Sequence, residues 1–301
     1  MRLALLFSGQ GGQRPEHLAA LREEAPADLA AALAEALPGL WTAAAPDPAA
    51  LSANTIAQPF IFGLEMPRWA RLRPHLPRPV CAAGYSLGEM AACSAAGAFA
   101  PPAGIALCRQ RAALMDSTAS GGMVAVLGLD DGAAAAVAAA SGLAVAIRNG
   151  PRHHVLAGPA AALPPGEALA LARGASRTVR LAVNTPSHTA ALAPAVASFA
   201  ETIADLADGR LDFPVLSAID GSVSRHRREA LAALARQIAT PLDWAACLEA
   251  VVEMQPDAVL EIGPGNALVR LLAEIAPDLP ARACDDFRSD AGILAWLGAL
   301  G

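Results

Sequence analysis

The chain contains no lysine: all 22 basic residues among its 301 are arginine. Imine chemistry on an amine, pyridoxal enzymology and the phosphate-binding loop with its lysine are thereby excluded. Any recognition of charge must use the planar guanidinium fork. Long apolar runs are also missing. Although 54% of the residues are hydrophobic, much of that is alanine, and no uninterrupted stretch approaches the roughly 18 residues a membrane helix needs. The apolar start, Met1 to Phe7, reaches Ser8–Gly9–Gln10 too early for a cleavable signal, so a cytoplasmic setting is expected. The five cysteines, at 81, 93, 108, 247 and 284, are odd in number and lack paired spacing. Neither a disulfide framework nor a metal site is suggested, and they read as reduced core residues. Net charge is −6, with Arg225–His226–Arg227–Arg228 as a short basic cluster. Nucleic-acid binding is not expected, and the cluster reads as a solvated helix start.

What is present is a globular composition able to bury a large core in one large or two modest domains. A strand at Leu3–Phe7 leads into a glycine-rich turn, Gly9–Gln10–Gly11–Gly12–Gln13, which lacks the spacing and downstream acid of a dinucleotide fingerprint. Helical patterns follow at 15–37 and 57–72, then a strand at 79–83 and a helix to Ala96. Strands alternating with helices argue for an α/β fold, a mostly parallel sheet with helices on both faces. Between 121 and 183 the pattern becomes smaller: strand 123–129, helix 130–140, strands 144–148 and 154–157, helix 167–173, strand 177–183. That order, β-α-β-β-α-β, is the ferredoxin-like unit. The expected organisation is a discontinuous large domain, residues 1–120 and 184–301, carrying an inserted subdomain, residues 121–183, with the site in the cleft between them. Helices at 190–206 and 228–238, a strand at Ala258–Ile262 and a helix at 267–275 complete the pattern. The intervening Gly263–Pro264–Gly265–Asn266 turn is equally readable as a ligand site or a rigid connection.

The chemistry centres on Gly84–Tyr85–Ser86–Leu87–Gly88, between the short strand and an Ala-rich helix. A serine on such a strand-to-helix elbow has its hydroxyl thrust out at the strand end, which requires almost no side chain at the flanking positions. A serine needs a base held by a third group. Of six histidines, His17, His75 and His226 lie in polar stretches, and His153 and His154 point to opposite faces of a strand. His188, in the polar loop Asn184–Thr185–Pro186–Ser187–His188–Thr189, is the candidate base. No acid stands out as its partner among Asp116, Asp130, Asp131 and Glu167, so a backbone carbonyl is the alternative. Arg111 shares a helix face with Leu107, Leu114 and Met115, whereas Arg109 lies about 200° around the helix. A guanidinium on an apolar stripe calls either for an internal salt bridge or for a substrate carboxylate.

Five stretches occur in order over nearly the whole chain: Phe7–Ser8–Gly9–Gln10–Gly11–Gly12–Gln13, Gly84 to Glu89, Arg111 to Met115, Pro186–Ser187–His188 and Glu261–Ile262–Gly263–Pro264–Gly265. On these the chain resembles malonyl-CoA:acyl-carrier-protein transacylases and the acyltransferase domains of polyketide synthases. The resemblance implies a hydrolase-like α/β domain with a ferredoxin-like insertion. It implies Ser86 as acylated nucleophile, His188 as general base and acid, the carbonyl of Gln237 orienting His188, the N–H groups of Gln10 and Leu87 as oxyanion hole, and Arg111 as clamp for a malonyl carboxylate. It further implies malonyl-CoA as donor and the phosphopantetheine-type arm of an acyl carrier protein as acceptor, with no bound cofactor. Two positions depart from most relatives: Tyr85 where histidine is usual, and Ser8 where proline is common. The Gly-Tyr-Ser form also resembles the malonyl-transferring subunit of malonate decarboxylase, which serves a dedicated carrier. A thioesterase or esterase on the same elbow is the competing expectation, and it would require a carboxylate partner for His188.

Overall fold

The computed structural model describes residues 1–44 and 46–300. β1 (Leu3–Phe7) is followed by β2 (Cys81–Gly84), then by β3 (Gly122–Leu127), β4 (Ala144–Gly150), β5 (His153–Gly158) and β6 (Arg177–Arg180). The C-terminal third adds β7 (Arg210–Leu216), β8 (Val223–His226), β9 (Leu242–Asp243), β10 (Ala258–Ile262) and β11 (Ala281–Ala283). Six strands form the larger sheet in the order β11-β10-β1-β2-β7-β8. Its pairings are parallel except for the edge strand β8, which runs antiparallel to β7.

β1 shows why a central parallel strand is apolar throughout. All five of its residues are fully buried, with Leu3, Leu5 and Phe7 facing one core and Ala4 and Leu6 facing another. The first core packs the sheet against helices that include Asn54–Leu72, Gly88–Ala95 and Pro101–Thr118. The second holds Ala4, Leu6, Cys81 and Ala83 against Met123, Ile147 and Val155 of the smaller sheet and against Trp244, Leu248 and Leu268. The opposite face of the large sheet is thus covered by helices and by a second sheet together.

The smaller sheet has the order β6-β3-β5-β4-β9. Residues 122–180 supply the expected β-α-β-β-α-β succession, with helices at Asp131–Ser141 and Leu163–Ala172. Its fifth strand comes from outside that stretch: β9 pairs in parallel with β4, Ile147 facing Leu242 and Arg148 facing Asp243. The pattern expected at 15–37 divides into His17–Glu24 and Ala27–Ala36, since Pro26 cannot continue a helix. β7 escaped the sequence reading because Pro214 argues against a strand interior; it lies where the β7–β8 register shifts. All five cysteines are free and buried. No helix among the described residues is long and apolar enough to cross a membrane.

The elbow depends on backbone contact with no slack. A β-carbon added at Gly84 would lie 2.0 Å from the Gly88 carbonyl carbon, and one at Gly88 would lie 2.1 Å from the Phe7 oxygen. Gly84→Ala is expected to destabilise the protein by about 2 kcal/mol through overpacking. Thermal melts of wild type and variant would measure it, and equal midpoints would mean that the backbone can yield here.

Candidate active site

Ser86 stands at the C-terminal end of β2 with φ of 52°, a left-handed conformation in which its hydroxyl is carried away from the sheet. The turn is tied down by the Tyr85 N–H, which donates to the Phe7 carbonyl at 3.0 Å, and by the Gly88 N–H, which donates to the Tyr85 carbonyl at 3.0 Å. Phe7 of β1 faces Gly84 of β2, so the glycine-rich turn and the elbow leave the sheet side by side. Neither the Gln10 N–H nor the Leu87 N–H donates to another described residue.

His188 also has a left-handed backbone, φ 61°, and is 1% exposed. Its Nε2 lies 2.8 Å from Ser86 Oγ. Its Nδ1 lies 2.5 Å from the Gln237 carbonyl oxygen. A carbonyl can only accept, so Nδ1 carries the proton and the Nε2 lone pair faces the serine hydroxyl. Burial lowers the imidazole pKa to about 3, with the Arg111 charge adding to the effect and the Gln237 bond opposing it. The ring is therefore neutral at ordinary pH. The carboxylates weighed from sequence are engaged elsewhere: Asp116 accepts from Thr185 and Asn54, each at 2.7 Å, which anchors the His188 loop. Asp131 bonds His154 at 2.7 Å and Glu167 bonds Arg180. Asp130 caps its helix through the Ala133 N–H.

Arg111 is 1% exposed, whereas Arg109 on the other side of the helix faces solvent. Among the described residues no carboxylate pairs with Arg111. Its NH1 donates to Gln58 Oε1 at 2.9 Å, its NH2 donates to Gln237 Oε1 at 3.2 Å, and its Nε has no partner. Burial lowers its pKa to about 10, so it stays charged at neutral pH. The salt-bridge alternative left open by the sequence is not realised.

Gln237, at the C-terminal end of helix Arg227–Arg236, gathers the site. Its side-chain NH2 donates to the Ser86 carbonyl and to Glu89 Oε2, both at 3.0 Å. Glu89, fully buried one turn beyond Ser86, also accepts from the Ala218 N–H at 3.1 Å. Sequence reasoning assigned no part to Glu89 or Gln58; for Glu89 the available signal was a carboxylate inside a short helix otherwise of small and apolar residues. Tyr85 packs edge-on against Trp244 at 5.2 Å, and its backbone oxygen and ring border Gly9. The five other histidines take no part: His75 and His226 are exposed, and His154 is held by Asp131. The Arg225–Arg228 cluster spans the end of β8 and the exposed start of a helix. Among the described residues no group of three or more His, Cys, Asp or Glu could hold a metal ion.

A serine on an elbow, a neutral histidine 2.8 Å away and a buried cation beside them form an arrangement suited to acyl transfer on an α/β fold. The chain belongs to the acyl transferase domain family, whose profile matches residues 6–278. It is 33% identical to a malonyl CoA-acyl carrier protein transacylase of Haemophilus influenzae, over 96% of each chain. It is 32% identical to the polyketide biosynthesis protein ThaF of Burkholderia thailandensis over 98% of this chain, which corresponds to 26% of that protein. The fold superposes with a TM-score of 0.89 on a type II polyketide-synthase acyl-carrier protein's malonyl-transacylase, solved in complex with that carrier, at 28% identity over 98% of this chain and 99% of that one. It superposes with a TM-score of 0.88 on a malonyl-CoA:acyl carrier protein transacylase of Xanthomonas oryzae, at 32% identity over 98% of both chains.

Burial raises the Glu89 carboxyl from its ordinary 4.5 to about 8, against the pull of the Ala218 N–H, Arg111 and Gln237. The folded chain therefore holds a proton here that the unfolded chain releases, so this contribution to stability is complete below about pH 4.5 and lost as pH rises through about 8. Between those limits Glu89→Gln is expected to flatten the decline of thermal midpoint with pH relative to wild type. Parallel slopes would show that Glu89 is ionised throughout.

Proposed function

We propose that the protein transfers a malonyl group from malonyl-CoA to the thiol of an acyl carrier protein's prosthetic arm by way of an ester on Ser86. Ser86 Oγ attacks the thioester carbonyl while its proton passes to His188 Nε2. The oxyanion of the tetrahedral intermediate is met by the N–H groups of Gln10 and Leu87, donors of a kind that contribute about 3 kcal/mol each. Collapse breaks the carbon–sulfur bond, and His188 returns the proton to the departing CoA sulfur. The carrier thiol then attacks the ester by the same steps in reverse, restoring the Ser86 hydroxyl.

The observation that carries this reading is Arg111. A fully buried guanidinium held by two amide oxygens rather than a carboxylate keeps its charge available for an anion. A malonyl group ends in such a carboxylate at the far side from its thioester. The hydrolase alternative needs a carboxylate on His188 Nδ1, and that atom meets the Gln237 carbonyl. We read residues 1–120 and 184–301 as the catalytic part and 121–183 as the small subdomain, with β9 as the seam. Five free, buried cysteines fit a cytoplasmic setting. The narrower reading, in which the carrier is that of malonate decarboxylase, rests on the Gly84–Tyr85–Ser86 form.

Mass spectrometry after mixing with malonyl-CoA should find a malonyl ester on Ser86 and none in Ser86→Ala; an unlabelled, folded wild type would overturn the mechanism. Arg111→Ala should lower kcat/KM for malonyl-CoA by about ten- to a hundredfold, the worth of a charge-assisted hydrogen bond, while leaving acetyl-CoA far less affected. Equal losses for both donors would remove the clamp. Offering a fatty-acid-type carrier and a malonate-decarboxylase carrier side by side reads out the partner as the ratio of transfer rates. Because His188 is buried and neutral, the acid limb of kcat/KM for acylation should lie well below the usual histidine value of 6.5, towards about pH 3. A limb near 6.5 would mean that solvent reaches the imidazole.

A further inference from the structure

The turn that carries the Gln10 N–H is gripped on both flanks. On one side a β-carbon at Gly9 would lie 2.7 Å from the Tyr85 oxygen, and on the other a β-carbon at Gly12 would lie 2.1 Å from the Pro264 oxygen. Beneath it sits a buried polar cluster that the transfer chemistry does not use. Ser8, 3% exposed, donates through Oγ to Glu261 Oε1 at 3.0 Å. Glu261, fully buried on β10, turns its other oxygen to the Leu268 and Val269 N–H groups, at 3.1 and 2.9 Å, at the start of helix Ala267–Ile275. Gly263, in a left-handed conformation with φ of 134°, leaves room for this contact: a β-carbon there would lie 2.6 Å from Ser8 Oγ and 2.8 Å from Glu65 Oε1.

We propose that Ser8 and Glu261 are positioning residues that fix the Ser8–Gln10 turn and hence the direction of the Gln10 N–H toward the developing oxyanion; this rests on the role given to Gln10 under the proposed function. A helix cap needs only one carboxylate oxygen, and Glu261 spends the second on Ser8, two residues from the donor. The Ser8 N–H donates to the Ile262 carbonyl at 3.1 Å, so backbone and side chain of one residue are both bound to β10. Gln10 offers no such hold of its own, because its side-chain NH2 is buried without a partner. Glu65, fully buried on helix Asn54–Leu72 with no hydrogen bond to either oxygen, stands beside the pair. Burial raises both carboxyls, Glu65 well above the carboxylate range and Glu261 only to about 7, because the Val269, Leu268 and Ser8 donors oppose the rise at Glu261. The brace thus runs from the helix start through a buried carboxylate to the oxyanion turn.

The test is the single-turnover rate of Ser86 malonylation as a function of malonyl-CoA concentration, with thermal midpoints measured in parallel. Ser8→Ala should lower the saturating rate by about tenfold or more, as small misplacements of a transition-state donor do, while the half-saturating concentration stays within about twofold. Glu261→Ala should repeat that loss. The double variant should lose no more than either single one, since both break the same brace. Glu261→Gln, which can still face Ser8 and the helix start, should retain most of the rate. A folded Ser8→Ala with full saturating rate overturns the proposal, even if its midpoint falls, and so do losses that multiply in the double variant. Should Glu261→Ala not fold, Ser8→Ala decides alone. A wild type that never acquires malonyl on Ser86 would instead refute the underlying transfer reading, which keeps the two failures apart.

Discussion

The site depends on the amide and carbonyl of one residue, Gln237. Its backbone oxygen fixes the tautomer of His188, its side-chain oxygen accepts from Arg111, and its side-chain NH2 holds the Ser86 carbonyl and Glu89. His188, Arg111 and Ser86 are thereby placed relative to a single point at a helix end. A buried amide can do this because it offers donors and acceptors together without adding charge. A carboxylate in its place would pair with Arg111 and neutralise the one cation at the serine. The neutral side chain of this hub leaves Arg111 unpaired with a carboxylate, while the backbone oxygen of the same residue takes the place of an acid at His188.

The geometry around that hub follows from the sheet. β1 and β2 are adjacent and parallel, so their C-terminal ends deliver the glycine-rich turn and the elbow to the same edge, as open parallel sheets do with their ligand sites. β10 lies on the other side of β1 and brings Glu261 and the Gly263–Gly265 turn beneath the first of these. Two left-handed residues without the freedom of glycine, Ser86 and His188, sit at the two ends of the 2.8 Å contact. Such conformations persist only where the surroundings over-determine them, and here close backbone packing does so.

Much of this was legible in the residues. The strands Leu3–Phe7 and Ala258–Ile262 are short, mostly apolar runs leading into glycine-containing turns, and Ser86, His188 and Arg111 stand out against their surroundings through motif, loop position and helical phase. Elements whose identity is set by partners distant in sequence were not legible. β9 is two residues long and exists only because β4 is beside it, and β7 contains a proline that local propensity rejects. The network of Gln58, Glu89 and Gln237 was likewise hidden. Its members are separated by up to about 180 positions, and a buried glutamine carries no periodic or spacing signal.

Tyr85 acquires a mechanical meaning from the smallest strand. β9 ends at Asp243, which bonds Arg148 of β4 at 3.0 Å and caps the helix beginning at Trp244 through the Ala246 N–H. Trp244 then meets the Tyr85 ring, one residue from Ser86. The smaller sheet is accordingly joined through Asp243 and Trp244, two consecutive residues, to the neighbour of Ser86. The serine's surroundings are thus anchored partly in a sheet to which its own segment contributes no strand.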